Sequence, residues 1–580
     1  MEALYHKPME IESRSMAIIE ENLTGVEIPE PERSILKRVI HTTADFDYVE
    51  NLCFSRNAVS SAKKALQNGA HIVTDTNMAL SGINKRSLHQ LGCQAHCFMS
   101  DPDVAAAAKA RGVTRAMVSM EKACSLDGDL IFAVGNAPTA LIQLDELIRA
   151  GKLLPKLIIG VPLGFIQMRR SKDLVHWEFL GWAFPEIPEE AVQWVQSHAG
   201  GQGATNIWAP YIIPYKDKYR LYYCVSAFGR KTSYIGLAES TSPEGPWTQK
   251  GCIVKTDDST AMNAIDPSVI ADENTGKWWM HYGSFFGGLY CVELNPETGL
   301  ALNEGDLGHL VARRANYRKD NLEAPEIIYH PELKQYYLFT SYDPLMTTYN
   351  VRVSRSDAAE GPFTDYFGKA VKDTTNNFPI LTAPYRFENH TGWAGTAHCA
   401  VFSDGEGNYF MAHQGRLSPQ NQLMVLHIRQ LFFTPEGWPV ASPERYAGTA
   451  SRQFSKEDLV GEWEIIRVQE PAYERQLEAG QILWGEGELK EKEWNLSTRV
   501  TLVKDGTCKG QMTDNEWNIV QMNGKWSFLT EKHLLMVDLN SEKIENLVIF
   551  AGHDWENETE TILFTGLDSR GRSVWGKRIK

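Results

Sequence analysis

KYRLYY (residues 218–223) returns as KWWMHY (277–282), QYYLFT (335–340) and NYFMAH (408–413). Each copy is a run of aromatic and β-branched or apolar residues, which reads as a strand that packs on both faces. A second strand start precedes each copy by about 11 to 13 residues: Trp208-Ala209-Pro210, Asp266-Pro267-Ser268, Glu323-Ala324-Pro325 and Thr396-Ala397-His398. A third element follows as GLAESTSPEGPW (236–247) and RVSRSDAAEGPF (352–363). A multi-strand unit repeated in this way is the pattern of propeller blades around a central channel. The third element also occurs before the first full copy, as MRRSKDLVHWEF (168–179). Its two inner strands should lie upstream of it, and no such sequence is there. The repeat therefore predicts a β-propeller whose first blade lacks its inner half.

Upstream the pattern changes within a few residues, around Gly164-Phe165-Ile166-Gln167, with no Pro-rich or Ser/Gly-rich linker. Residues 38–43, 71–74, 130–134 and 156–161 read as strands, and residues 58–66, 101–110 and 138–150 as helices. Strands alternating with helices predict an α/β fold around a mainly parallel sheet. At the other end, residues 455–580 show alternating runs such as 497–503 and 534–539. These predict a small antiparallel β-barrel. The expected domains are 1–165 (α/β), 166–454 (propeller) and 455–580 (barrel).

Composition narrows the function classes. The 580 residues carry 58 Lys and Arg against 73 Asp and Glu, a net charge of −15. A diffuse acidic balance argues against nucleic acid or an anionic membrane as partner. No apolar stretch reaches the ~18 residues of a membrane span. The start MEALYHKPMEIESR lacks the basic and apolar segments of a secretory signal, so a cytoplasmic location is expected. Nine scattered cysteines fit a reducing compartment, and Cys93 and Cys97 have no second pair to complete a zinc site.

In a propeller the start of each innermost strand faces the channel. Asp266, Glu323 and His398 occupy such starts in successive repeats. Paired carboxylates there suit glycoside hydrolysis, one protonating the leaving oxygen and another activating water or receiving the sugar. Trp208, Phe285, Phe286 and Trp393 could stack on sugar faces. The segments NIWAPYI, NAIDPSV, EAPEI and GTAHCAV, with a barrel after them, resemble glycoside hydrolase family 43, and most closely its endo-1,5-α-L-arabinanases. The resemblance covers roughly residues 166–580. It implies an inverting mechanism on arabinan oligosaccharides, with Glu323 as general acid and Asp266 as the carboxylate that orients it and raises its pKa. It also implies a five-bladed type of β-propeller, and that His398 stands near a channel calcium ion; Trp208 and Phe285 are the aromatics read as substrate-binding by residue type. The family's general base is an Asp in the inner strand of the first blade, upstream of Ile166, and that stretch is missing here. A hydrolase half without its base is the expectation.

In the first part, the informative segments are VIHTTAD (39–45), TDTNMALSGI (74–83) and VGNAPTAL (134–141). His41 is read at a strand end, a place from which an imidazole can protonate a ligand. With Asp75-Thr76-Asn77 and Gly135-Asn136, this gives three polar strand-to-helix junctions on one sheet, where α/β folds bind ligands. There is no GxGxxG or Walker loop, so no nucleotide cofactor is indicated. In this order the segments resemble the precorrin-8X methylmutase family of cobalamin biosynthesis. The resemblance implies methyl migration from C-11 to C-12 of a corrin precursor, without a separate cofactor, in a homodimer built through this domain. His41 falls on the catalytic histidine, and Arg14, Asp75, Arg115 and Asn136 fall in or near substrate-binding segments. The family's final Gly-rich loop and helix are missing after residue 162. Three readings stand: two working modules, a non-catalytic glycan-binding propeller with a remnant, or an inactive chimera of two truncated genes.

Overall fold

A computed structural model of the protein describes residues 8–43, 46, 48–111, 113–135, 138–160, 165–200, 203–204, 206–315, 321–419, 424–471, 489–539 and 542–579. The chain forms two compact units, Met1–Gly164 and Phe165–Lys580.

The first unit is built on a four-stranded parallel sheet in the order Gln94–His96, His71–Thr74, Leu130–Val134, Leu157–Gly160. Its central strands bury Val73, Phe132 and Val134 against Met120, Ala140 and Leu144 of the covering helices Arg115–Ala123 and Pro138–Arg149. Connecting one parallel strand to the next requires such crossovers. The parallel α/β expectation is met.

The strand expected at residues 38–43 is not present. These residues end a helix, Glu32–Thr43, which packs on the helix Pro8–Asn22. Leu36 and Ile40, one helical turn apart, meet Ile19 and Leu23 in a small apolar cluster. Val39, Ile40, Thr42 and Thr43 are poor helix formers, but buried packing outweighs a propensity deficit of only ~0.7 kcal/mol per residue.

The second unit holds three four-stranded antiparallel blades. They run through Tyr211–Tyr215 to Thr248–Thr256, Ser268–Ala271 to His309–Ala312, and Leu322–His330 to Ile380–Thr382. A fifth blade pairs Ala400–Ser403, Tyr409–Leu417, Met424–Phe433 and Pro439–Ala441. Among the described residues the first blade is a two-stranded hairpin, Phe165–Arg170 with Glu178–Phe184. Its apolar face and the helix Glu189–His198 pack against the second blade through Phe184, Ala191, Val195 and Tyr223. Ile166 lies in the left-handed region (φ 64°), a strained setting for a β-branched residue.

Eight strands from Gly461–Arg467 to Ser573–Arg578 close a barrel. Trp463, Trp526, Phe564, Met512, Met522 and Leu547 pack in its interior as a core. Several contacts join it to the propeller. Asn495–Leu496 extends the fifth sheet beside Tyr385–Arg386. Trp575 packs edge-on to Tyr385 at 5.3 Å within a shared apolar cluster. Lys577 is buried against Glu444, Asp554 and Glu556. The nine cysteines are free thiols, and among the described residues no helix is long and apolar enough to cross a membrane.

Candidate active site

Three inner strands begin with the same unusual backbone. Asp266, Ala324 and His398 have φ of 54°, 52° and 54°. A non-glycine residue in this region costs ~1–2 kcal/mol, and its recurrence at one place in successive blades marks a constrained turn into the channel. The register corrects the sequence reading: Ala324, not Glu323, is the structural equivalent of Asp266 and His398. Glu323 stands one residue earlier, where a bulge between Glu323 and Glu326 shifts its pairing with the next strand. Bulges re-aim side chains, and here the bulge turns Glu323 toward Tyr349.

Side chains stitch the blades together at this level. Asp266 Oδ2 accepts the Ala324 N–H at 3.2 Å. Ser268 Oγ accepts the Ile327 N–H at 3.1 Å and donates to Glu326 Oε2 at 2.9 Å. Glu326 Oε1 accepts the Val401 N–H at 3.0 Å. Ser341 Oγ accepts the His398 N–H at 2.8 Å. Tyr349 donates its hydroxyl to Glu323 Oε1 at 2.7 Å.

Burial controls the protonation of this cluster. It pushes the Glu323 carboxyl up to about 7, helped by the negative charge of Asp266 and opposed by Tyr349 and His398. It pushes Asp266 up to about 7 against the pull of the Ala324 N–H, and Glu326 to about 8. It holds the His398 imidazole below its usual range, partly offset by Glu323. Glu323 is therefore an acid that still holds a proton near neutral pH. Asp266→Asn removes a negative neighbour, so the Glu323 titration is expected to move down in pH; carboxyl carbon NMR on the variant measures it.

These three raised carboxyls make the folded state bind more protons than the unfolded chain. Their contribution is fully present below the unfolded carboxyl range near 4.5 and is lost as pH rises toward about 8. The thermal midpoint should thus fall between pH 5 and pH 8, and Glu326→Gln should flatten that fall. An unchanged slope in the variant would show that Glu326 is already ionised in the folded protein.

A cavity of about 340 Å³ lies between the second and fifth blades. Pro210 and Tyr211 line one side, Ala412, Met424 and Leu426 the other, with Asp266, Glu326 and His398 between. Glu323 is not among its lining residues. Trp208 is half-buried, with the exposed Phe228 ring 6.2 Å away. Phe285 is 2% exposed, so its ring is core rather than a free stacking face, and the half-buried Phe286 is the more open of the two. Sequence reasoning missed Tyr349, Ser268 and Glu326. The last two share one repeat position, 58 residues apart, and that spacing could have revealed them.

The calcium ion that the resemblance implies has few protein donors here. Calcium takes ~6–8 oxygen ligands. His398 supplies one imidazole, and no group of three acid or His side chains surrounds it among the described residues. This donor set does not make a protein-built calcium site. Among the described residues the one such group is Glu444, Asp554 and Glu556, and the Lys577 ammonium already lies among those carboxylates.

In the first unit His41 sits on the last turn of its helix, with Nδ1 2.7 Å from Ser15 Oγ. Arg14, beside Ser15, is exposed. Asp75 is fully buried at the carboxyl end of its strand, where Oδ1 accepts the Gly135 N–H at 3.2 Å from the neighbouring strand end. Arg115 is exposed at a helix start behind the capping Thr114. Asn136 lies outside the described residues. The sheet thus offers two polar strand-to-helix junctions, not three, because His41 comes from a helix. Another contact escaped the sequence reading: His71 Nδ1 and His96 Nε2 lie 2.9 Å apart on adjacent strands.

Comparison with known proteins finds different families along the chain. A family model described as precorrin-8X methylmutase matches residues 10–191. One described as glycosyl hydrolases family 43 matches residues 161–439, and a C-terminal lipocalin-like domain matches 443–576. The first two overlap over residues 161–191. An extracellular endo-alpha-(1->5)-L-arabinanase of Thermotoga petrophila is 29% identical over 479 residues, covering 76% of this chain and 94% of that protein. A crystal structure of endo-1,5-alpha-L-arabinanase from Thermotoga petrophila RKU-1 matches with a TM-score of 0.60 at 28% identity, covering 71% of this chain and 94% of that one. A cobalt-precorrin-8 methylmutase of Leptospira interrogans is 41% identical over 167 residues, covering 28% of this chain and 76% of that protein. The chain belongs to two families at once: the precorrin-8X methylmutases through its first part, and the family 43 glycosyl hydrolases, with their C-terminal lipocalin-like domain, through the rest.

Proposed function

We propose that the chain carries a methylmutase-like module over residues 1–165, truncated at its end, and an arabinan-recognising propeller and barrel over 166–454 and 455–580 that have lost hydrolytic turnover. One observation carries this reading. Glu323, Asp266 and Tyr349 form an assembled acid half-site, while among the described residues only the outer half of the first blade accompanies it.

Protonated Glu323 can give its proton to a leaving glycosidic oxygen. Inversion also needs a base ~6.5–9.5 Å from the acid to hold the attacking water. Glu326 does not fill that role. Both of its oxygens accept hydrogen bonds, and burial keeps it protonated at neutral pH. The propeller then holds arabino-oligosaccharide without cleaving it, with Trp208 as a stacking face. Calorimetry with linear arabino-oligosaccharides tests this: binding by the wild-type chain that weakens at least tenfold in Trp208→Ala upholds it, and no binding removes it.

In the first module His41 is the proton donor for methyl migration on a corrin precursor, and Ser15 is the positioning residue that fixes its ring through Nδ1. Asp75 braces the two strand ends, and Arg14, Arg115 and Asn136 are assigned to the corrin carboxylates. His41→Ala should abolish the spectral change of methyl migration while corrin binding persists. Ser15→Ala should slow it by about the 10²-fold lower range of acid–base effects and shift its pH profile. A Ser15→Ala profile identical to wild type would reduce that contact to helix packing.

A further inference from the structure

One repeat position changes charge around the propeller. On the third strand of the second blade Glu239 pairs opposite Arg220, and on that of the third blade Glu293 pairs opposite Trp279. A lysine from the start of the neighbouring aromatic strand holds each acid. Lys218 lies 2.6 Å from Glu239, which Arg220 also meets at 3.0 Å, and Lys277 lies 3.1 Å from Glu293. In the fourth blade the same position is Arg355, opposite Tyr337, and the lysine is replaced by Gln335. A cation thus stands where the acid stood, and a neutral amide where its partner stood.

The space around that position changes with it. In the second blade Arg220 fills the gap to the next blade and donates to the carbonyls of Pro296 and Glu297. In the fourth blade a cavity of about 690 Å³ lies there, between Gln335, Tyr337, Arg355 and Asp357 on one side and Pro435 and Gly437 of the fifth blade on the other. Small-molecule sites occupy ~300–1,000 Å³. The cavity is separate from the channel. Gln335 and Ser341 stand six residues apart on one strand, and Ser341 pairs with Glu323. At ~3.3 Å per residue the cavity lies ~20 Å from Glu323, at the opposite end of the blade.

We propose that this cavity is a second carbohydrate site, which takes a neutral sugar residue of an oligosaccharide through Arg355, Asp357 and Gln335. Arg355 is already positioned. Its Nη1 donates to the Glu436 carbonyl at 2.9 Å, and its guanidinium lies 4.3 Å over the Trp438 ring. Among the described residues no carboxylate pairs with it, so donors of its planar fork remain for a ligand. Asp357, exposed at the rim, accepts the Gln335 amide through one oxygen, and its other oxygen has no partner among the described residues. Asp357 and Glu436 both line the cavity against the single Arg355, a balance that disfavours an anion. Sugar hydroxyls meet both needs, accepting from the guanidinium and donating to the carboxylate, while the C–H face of the ring lies on Pro362 and Pro435.

The choice of probe rests on the arabinan-recognising reading of the propeller, and the outcomes separate the two. The full chain is titrated with linear 1,5-arabinohexaose, and hydrogen exchange by mass spectrometry reads residues 355–364. At saturation their amides are expected to exchange more slowly, in the wild type and in Trp208→Ala alike. The double variant Gln335→Ala, Asp357→Ala changes a pair at the rim, and it should lose the protection while melting as the wild type does. Arg355→Lys keeps the charge without the fork, and should raise the half-saturating concentration about tenfold, the worth of one charged hydrogen bond. Protection of 355–364 that disappears in Trp208→Ala would be relayed from the channel and overturns the second site. Slowing confined to the segment around Trp208 also overturns it and leaves the arabinan reading standing. Slowing confined to 355–364 upholds the second site and removes the arabinan-binding channel, and slowing at neither removes both. Protection by an oligogalacturonate and not by arabinohexaose overturns the assignment of a neutral sugar.

Discussion

Linear 1,5-arabinan incubated with the purified chain is expected to release reducing ends no faster than with the Glu323→Ala variant. On the proposed reading Glu323 is the acid, and the outcome depends on the attacking water. An inverting displacement needs a carboxylate to take the proton of the attacking water as its oxygen bonds to the anomeric carbon. General-base assistance contributes ~10²–10⁴-fold, and Glu323 alone cannot replace it. The acids placed near the channel are Asp266, Glu323 and Glu326, and burial favours the protonated form of each at neutral pH. A reducing-end assay across pH 5 to 8 decides the matter. Release that depends on Glu323 would mean that another carboxylate or an ordered water serves as base.

The second large effect is expected at Lys577. Its ammonium is 1% exposed and donates to Glu444 at 3.0 Å, to Asp554 at 3.1 Å and to Glu556. Burial alone would lower its pKa, but the three carboxylates together outweigh burial and hold it charged well above its usual range. Lys577→Met keeps the bulk and removes the charge. Three acids are then left facing one another without a counter-ion, and breaking a buried pair in this way costs ~3–5 kcal/mol. Urea denaturation should show a loss of that size. Adding Glu444→Gln and Glu556→Gln to the variant should recover part of it, since like-charge repulsion is then relieved. A loss under ~1 kcal/mol, the usual worth of a surface pair, would mean that the site is solvated.

The propeller was legible because its signal is redundant. Four aromatic strands and their upstream partners repeat at similar spacing, and each later proved to be the second strand of a blade. The incomplete first blade was legible for the same reason, since an outer-strand motif stood without an inner one. The site was legible by residue type and less so by register. Glu323 and Asp266 were read as equivalent, because a bulge leaves no trace in a tripeptide. The helix carrying His41 was misread because RVIHTT is rich in β-branched residues. What decides its state is contact with Ile19 and Leu23, about twenty residues away, and local periodicity over six residues carries no record of that. Tyr349 and Ser15 were invisible for a related reason: a single hydroxyl acquires a role only when folding brings it to a carboxylate or an imidazole.

The join between propeller and barrel also bears on the order in which the chain is made. Lys577 follows Glu444 by 133 residues, and Trp575 enters a cluster begun by Tyr385, Phe387 and Trp393. During synthesis the fifth blade emerges long before the strand that covers it. Through that interval its apolar underside and the acid that awaits Lys577 are both bare, and the barrel sheet has no closing edge. The last strand, Ser573–Arg578, therefore acts as a latch on the nascent protein. Ribosome-bound chains stalled before it should be protease-sensitive from Tyr385 onward, and chains extended past it should not.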